Sequence, residues 1–191
     1  MAADTGRRNA ARNDRAPRIV FRRRPVPRDV PAVRRLVAAT GVFHAEEQAV
    51  AVELVKERLE RGRRSGYQFV FAEAAGELVG YTAWGPIPLT RASYDLYWIA
   101  VAPTHQGSGV GRALLAETER DVARRGGGRL YIETSSRGAY DRTRRFYHSA
   151  GYDEVARLAD FYAAGDDKVM YCKRIGAEQP RRRARAPLPA R

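Results

Sequence analysis

The chain has 191 residues, 44% of them apolar and 9% aromatic, enough for one well-formed core and few for two. A single cysteine, Cys172, excludes an internal disulfide framework, and no apolar segment of the secretory type follows the first arginines. Apolar stretches such as residues 36–43 fall well short of the roughly 20 residues a membrane helix needs, so a soluble cytoplasmic protein without a membrane partner is expected.

Charge is the most lopsided property, 35 Lys and Arg against 22 Asp and Glu for a formal +13, and that sign invites a nucleic-acid reading. Its distribution argues otherwise. Residues 1–18 carry five Arg and two Asp, net +3, and residues 176–191 carry five Arg and one Glu, net +4, leaving +6 on residues 19–175. Both ends are rich in Arg, Ala and Pro and have no sustained apolar period, so they lack the surface that would offset ordering entropy. Residues 1–17 and 176–191 are expected to be disordered tails around one domain at residues 18–175. Aromatic residues are not interleaved with the tail arginines as base stacking requires, which disfavours a nucleic-acid partner.

Residues 18–24 read as a strand, with Ile19 and Phe21 alternating against arginines before Pro25 and Pro27. Asp29 stands where a helix N-cap should be, Val30, Val33, Leu36 and Val37 share one face, and Gly41 stops the helix. A second helix is expected over residues 46–61, buried through Val52, Val55 and Leu59 and ended by Gly62. Residues 67–74 and 78–86 form an antiparallel pair around a tight Ala75-Gly76 turn. The run at residues 96–101 is too continuously apolar for a half-exposed strand and should be central. A glycine loop follows, then an amphipathic helix with Val110, Leu114, Leu115 and Val122, a break at residues 126–128, and a strand at residues 129–134 that must return parallel to the central one. A fourth helix over residues 140–150 and an antiparallel pair near residues 153–158 and 168–174 complete the chain.

The chemistry concentrates in Gln106-Gly107-Ser108-Gly109-Val110-Gly111-Arg112, between a buried strand and a helix. Its glycines let the main chain approach a ligand, and their N–H groups with the free donors of a helix N-terminus form a concavity suited to a pyrophosphate. A P-loop needs Lys and then Ser or Thr after the last glycine, where Arg112 and Ala113 stand. A dinucleotide fingerprint needs its third glycine at Arg112, although Glu133 mimics that fold's acidic ribose contact. The spacing Gln106-x-x-Gly109-x-Gly111 resembles the coenzyme A pyrophosphate loop of GNAT-type N-acetyltransferases.

That resemblance extends over nearly all of residues 18–175, because the order of elements is also the family's, and the segment from Arg145 through Phe146 and Tyr147 to Gly151 and Tyr152 is similar to its helix-to-strand signature. It implies an α+β (mixed α/β) GNAT fold, a central, mixed, mostly antiparallel sheet of about seven strands flanked by about four helices. It further implies acetyl-CoA as cosubstrate, held by residues 106–112 and by backbone N–H groups at Ile99, Ala100 and Val101, with Tyr147 as the acid that protonates the departing thiolate. The family often has Asn and Ala where this chain has Tyr140 and Thr143, which moves weight from the fourth helix to the loop. Arg112, Arg144 and Arg145 are placed to meet coenzyme phosphates.

A primary amine arrives as an ammonium and must lose a proton, through water or directly, to a carboxylate; Asp95 and Glu133 are the candidates. Blander readings stand beside each of these: Tyr147 with Phe146 as core aromatics, Asp95 and Glu133 as solvated strand ends or salt-bridge partners, and Cys172 as a small core residue. His44, His105 and His148 are scattered and give no metal or triad pattern. The acceptor site is expected among the loop after the first helix, residues 84–95 and the connection before the last strand, where Glu46, Glu47, Asp160, Asp166 and Asp167 would attract a cationic amine; equally, they serve as helix-terminal and turn caps. The leading function is acetyl transfer to a small amine or a peptide amino terminus. The rivals are a non-catalytic acyl-CoA sensor and a basic protein acting on nucleic acid through its tails, with monomer or homodimer left open.

Overall fold

The computed structural model describes residues 18–176; the readings for the two tails lie outside the described residues. In chain order the elements are β1 (Ile19–Arg22), α1 (Asp29–Ala39), α2 (Ala45–Arg61), β2 (Gln68–Ala74), β3 (Glu77–Pro86), β4 (Ser93–Val101), α3 (Val110–Arg124), β5 (Gly128–Ser135), α4 (Asp141–Ser149), β6 (Asp153–Ala163) and β7 (Asp166–Ile175). The seven strands form one sheet in the order β1-β2-β3-β4-β5-β7-β6. Every neighbouring pair is antiparallel except β4 and β5, which run parallel. This is the α+β architecture that the order of elements implies.

Local chemistry explains the turns. Ala75 and Gly76 both have positive φ, 50° and 84°, as a tight hairpin between right-twisted strands requires. Gly128 has φ 144°, and a Cβ there would lie 2.0 Å from the Ala92 carbonyl oxygen; only glycine lets β5 start against the β3–β4 connection.

The sheet is covered on both faces. On one, Val33, Leu36 and Val37 of α1 and Ala51, Leu54 and Val55 of α2 pack on Phe69, Phe71, Tyr81 and Ala83. On the other, Leu115 and Val122 of α3 and Tyr147 of α4 pack on Leu96, Leu130, Ile132 and Tyr171. A buried hydroxyl pair, Thr82 and Thr118 at 2.9 Å, ties β3 to α3.

Two local expectations change. Asp29 opens α1 but does not cap it, because its buried carboxylate accepts two bonds from Arg22 at 2.7 and 2.9 Å and one from the Val26 N–H; an ionic partner across the β1–α1 connection outcompetes the helix's own donors. The central strand is also less covered than its composition suggests. β4 lies in the middle of the sheet, yet Tyr97 is exposed and Trp98 and Ile99 are only half-buried, since β5 leaves β4 partway along.

Candidate active site

The register defines the opening. β4 and β5 pair only from Ser93 against Arg129 to Leu96 against Ile132, and the β3–β4 register shifts between Ala83 and Trp84, so Tyr97 is a bulge residue. A bulge adds twist and ends pairing locally. From Tyr97 onward the β5-facing edge of β4 has no strand partner, leaving a wedge between two parallel strands. Ile99, Ala100 and Val101 line its mouth.

At the wide end of that wedge stands the glycine loop. Gly107 and Gly109 have φ 79° and 90°, and Gly109 immediately precedes α3. No backbone acceptor among the described residues takes the N–H groups of Gly107, Ser108 and Gly109, while those of Val110, Gly111 and Arg112 belong to the unsatisfied first turn of α3. These six donors fit a pyrophosphate. The loop is fastened from both sides. Gln106 donates to the Val101 carbonyl at 3.2 Å and accepts from Arg142 at 3.4 Å, and Ser108 donates to the His105 carbonyl at 2.6 Å.

The arginines sort differently from the sequence reading. Arg112 donates to the Ser149 carbonyl and hydroxyl at 3.3 and 3.1 Å, joining α3 to the end of α4. Arg144 is turned inward, donating to the carbonyls of Ser135 and Arg137 and pairing with Asp141. Arg145 is exposed. Arg142, which the motif did not single out, is the arginine beside Gly107 and Gln106; its placement depends on α4 folding back over the loop.

Tyr147 sits under the wedge on the α3–α4 face. It is 4% exposed, with Phe146, Tyr171 and Tyr152 ring centroids 5.5, 5.7 and 6.3 Å away, and its hydroxyl has no hydrogen-bond partner among the described residues. Burial, reinforced by Tyr140 and Tyr171, pushes its pKa well above the ordinary phenol value, which keeps the proton on.

The opposite face carries the carboxylates. Tyr94, Leu96, Leu130 and Ile132 point into the α3–α4 core, so by the period of two Asp95 and Glu133 project to the other side. Glu133 is paired with Lys168 at 2.7 Å, matching the salt-bridge reading. Asp95 has no hydrogen bond or ion pair among the described residues. Its pKa is raised to about 6, first by burial and then by Glu133, with Lys168 pulling the other way. An aromatic wall borders it, Tyr97 edge-on to Tyr67 at 5.6 Å and Phe43 beside Trp98 at 5.2 Å. The bulge that turns Tyr97 onto this face was not legible in the sequence.

Four of the five acidic residues expected to recruit an amine have structural partners, while Glu46 is exposed in the first turn of α2. Asp166 is buried between the Ser135 hydroxyl and Arg137, Asp167 accepts from Arg157 and from the Asp160 N–H, Asp160 accepts from the Gly165 N–H across its turn, and Glu47 accepts the His44 N–H at the start of α2. The start of α2 and the end of β6 lie within electrostatic range of each other, since Glu47 acts on Tyr162 along with Glu133, Asp166 and Tyr140. The β3–β4 connection, the third expected contributor, turns at the opposite end of the strands. Cys172 is half-buried in β7, where burial raises its thiol.

A seven-stranded mixed sheet that opens beside a glycine loop at a helix N-terminus defines an acyltransferase fold. The acetyltransferase (GNAT) domain model matches residues 65–154. A GNAT-family protein from Desulfovibrio desulfuricans superposes with a TM-score of 0.82 at 50% identity, over 83% of this chain and 100% of that one. N-alpha-acetyltransferase RimI of Mycobacterium tuberculosis is 36% identical over 95 residues, 49% of this chain and 57% of that protein, so the match spans little more than half of this curated relative. An aminoglycoside 6'-N-acetyltransferase complexed with coenzyme A shares the fold, with a TM-score of 0.65 at 20% identity, over 85% of this chain and 99% of that one. The chain belongs to the GNAT acetyltransferase family.

Proposed function

We propose that the protein transfers the acetyl group of acetyl-CoA to a primary amine, on a small molecule or at a peptide amino terminus, by direct attack in a ternary complex. The observation that carries this reading is the wedge between β4 and β5, which has the glycine loop at its mouth, the Tyr147 hydroxyl on one face and Asp95 on the other. Residues 107–112 offer backbone donors to the coenzyme pyrophosphate, with Gln106 and Arg142 holding the loop in shape. The unpaired edge of β4 at Ile99, Ala100 and Val101 supports a role in binding the thioester carbonyl. Tyr147, protonated throughout the neutral range, serves as the acid for the departing sulfur. Asp95 serves as the base, with Glu133 acting on it electrostatically while bound to Lys168.

Acceptor basicity favours one class. An α-amino group, titrating near ~8, gives up its proton at about 3 kcal/mol less cost than a lysine side chain near ~10.4, whichever carboxylate accepts it. That difference supports a peptide amino terminus or another weakly basic amine over a lysine side chain.

Release of free thiol from acetyl-CoA, measured against a panel of peptides with free amino termini, small amines and lysine analogues, tests the reading. Turnover with α-amines above that with lysine analogues is expected. Tight coenzyme binding without turnover on any acceptor would instead identify a non-catalytic acyl-CoA sensor.

A further inference from the structure

Six arginines without a carboxylate partner among the described residues gather at the end of the sheet opposite the glycine loop. At the far end of the strands meet the 3-10 turn Gly62–Ser65 after α2, the β3–β4 connection, the C-terminus of α3, the start of β5 and the end of β7. Arg63, Arg64, Arg91, Arg125, Arg129 and Arg174 are exposed there, and none of the six is paired with a carboxylate of the described residues. Elsewhere the fold neutralises several of its arginines, as in Arg22 with Asp29 and Glu73 and Arg23 with Glu117 and Asp121.

Hydrogen bonds and strand register draw them into two groups, Arg125 with Arg63 and its chain neighbour Arg64, and Arg91 with Arg129 and Arg174. Arg125 donates to Gln68 at 2.8 Å, two residues beyond Gly66, whose N–H bonds to the Arg63 carbonyl. The Arg129 N–H bonds to the Ala92 carbonyl, next to Arg91, and Arg129 pairs in register with Arg174. The charge of the half-buried Arg58 is disfavoured first by burial and then by Arg63 and Arg125. From β2 to β7 this end of the sheet crosses four strand spacings, about 19 Å.

We propose that this arginine pole docks the phosphate backbone of a duplex nucleic acid, without reading base sequence. Guanidinium forks match phosphate oxygens in pairs. Over the span of about 19 Å a duplex carries about eleven phosphates against about six carboxylates on a fully acidic extended peptide, half of which point away from the surface, so the duplex meets six clustered guanidiniums more fully. Among the described residues the cation–ring contact made by the six is that of Arg125 over Trp84 at 5.3 Å, and that ring is buried and closed to base stacking, which favours a duplex over a single strand. Because the pole lies at the opposite end of the strands from the wedge, docking leaves the coenzyme loop open. Arginines this far apart in the chain come together only in the folded sheet, so the composition of the tails carries no sign of them.

Fluorescence anisotropy of the full-length protein with labelled RNA and DNA duplexes of about 20 base pairs tests this. Binding is expected to weaken with salt, and the triple variant R63Q/R91Q/R129Q to lose at least about tenfold in affinity and to shallow the log–log salt slope by about 2 to 3, with its acetyl-CoA thermal shift unchanged. Comparing the two duplexes shows whether RNA or DNA is preferred, and binding of either supports the proposal. The proposal is overturned if neither duplex binds, if only R181Q/R182Q/R183Q in the C-terminal segment reduces binding, or if polyglutamate of equal total charge displaces the duplex as well as unlabelled duplex does.

Discussion

Lys168 holds the Glu133 carboxylate at 2.7 Å, and its ammonium lies 3.9 Å from the centre of the Phe161 ring, whereas Asp95 on the neighbouring strand has no ion-pair partner among the described residues. Two carboxylates on one face are thereby given different states. Glu133 is satisfied by its cation, and Asp95 is half-desolvated beside a negative neighbour.

From this follows a pH signature. With Asp95 at about 6, kcat/KM should rise as pH increases through about 6 and then level. Lys168 lowers the Asp95 pKa, so Lys168→Met should move the midpoint upward and Glu133→Gln should move it downward. A pH–rate profile whose midpoint stays put in both variants would remove Asp95 from the role of base.

Asp95 also costs stability at neutral pH. Its folded pKa lies above the unfolded value, so its contribution is fully present below pH ~4 and is lost as pH rises through about 6. After discounting for its half-exposed position, Asp95→Asn should stabilise the fold by about 1–2 kcal/mol at pH 7 and by nothing near pH 3. Thermal melts at the two pH values measure this, and a raised Tm combined with lost turnover would separate a chemical role from a structural one.

Tyr147→Phe retains the ring that packs on Phe146, Tyr152 and Tyr171 and removes only the hydroxyl. The Tm should stay within a degree or two (~0.5 kcal/mol) while kcat falls about 10²-fold or more, with coenzyme affinity unchanged. Tyr147→Ala should instead cost about 3–5 kcal/mol by opening a cavity. Equal kcat in the Tyr147→Phe variant and the wild-type protein would return this residue to a purely core role.

The loop can be tested apart from the chemistry. Gly109 has φ 90° with open space around it, so Gly109→Ala is strained in the loop by about 1–2 kcal/mol without a clash. Coenzyme affinity by calorimetry should drop roughly tenfold with little change in Tm. Gly128→Ala should do the reverse, because a Cβ 2.0 Å from the Ala92 oxygen forces β5 away from the β3–β4 connection and destabilises the fold by about 3 kcal/mol or more.

Asp166 separates recruitment from architecture. Buried between Ser135 and Arg137, it should cost about 2–3 kcal/mol of stability when changed to Ala, with no rise in the KM of amine acceptors that persists in the remaining folded protein.

Much of this was readable from local pattern. The Ala75-Gly76 turn, the buried stripe of Val110, Leu114, Leu115 and Val122, and the glycine loop before it depend on residues close together in the chain, where backbone freedom and helical period act directly. Arg142 beside the loop, the pairing of Glu133 with Lys168, the bulge that exposes Tyr97, the burial of Asp166 and the convergence of six arginines at one pole depend on register between distant strands and on how α4 folds back. A carboxylate's charge state is set by what lies across the sheet from it, so composition could nominate Asp95 and Glu133 as a pair, while only the parallel pairing of β4 with β5 and the antiparallel return of β7 decided which of them would be left without a cation.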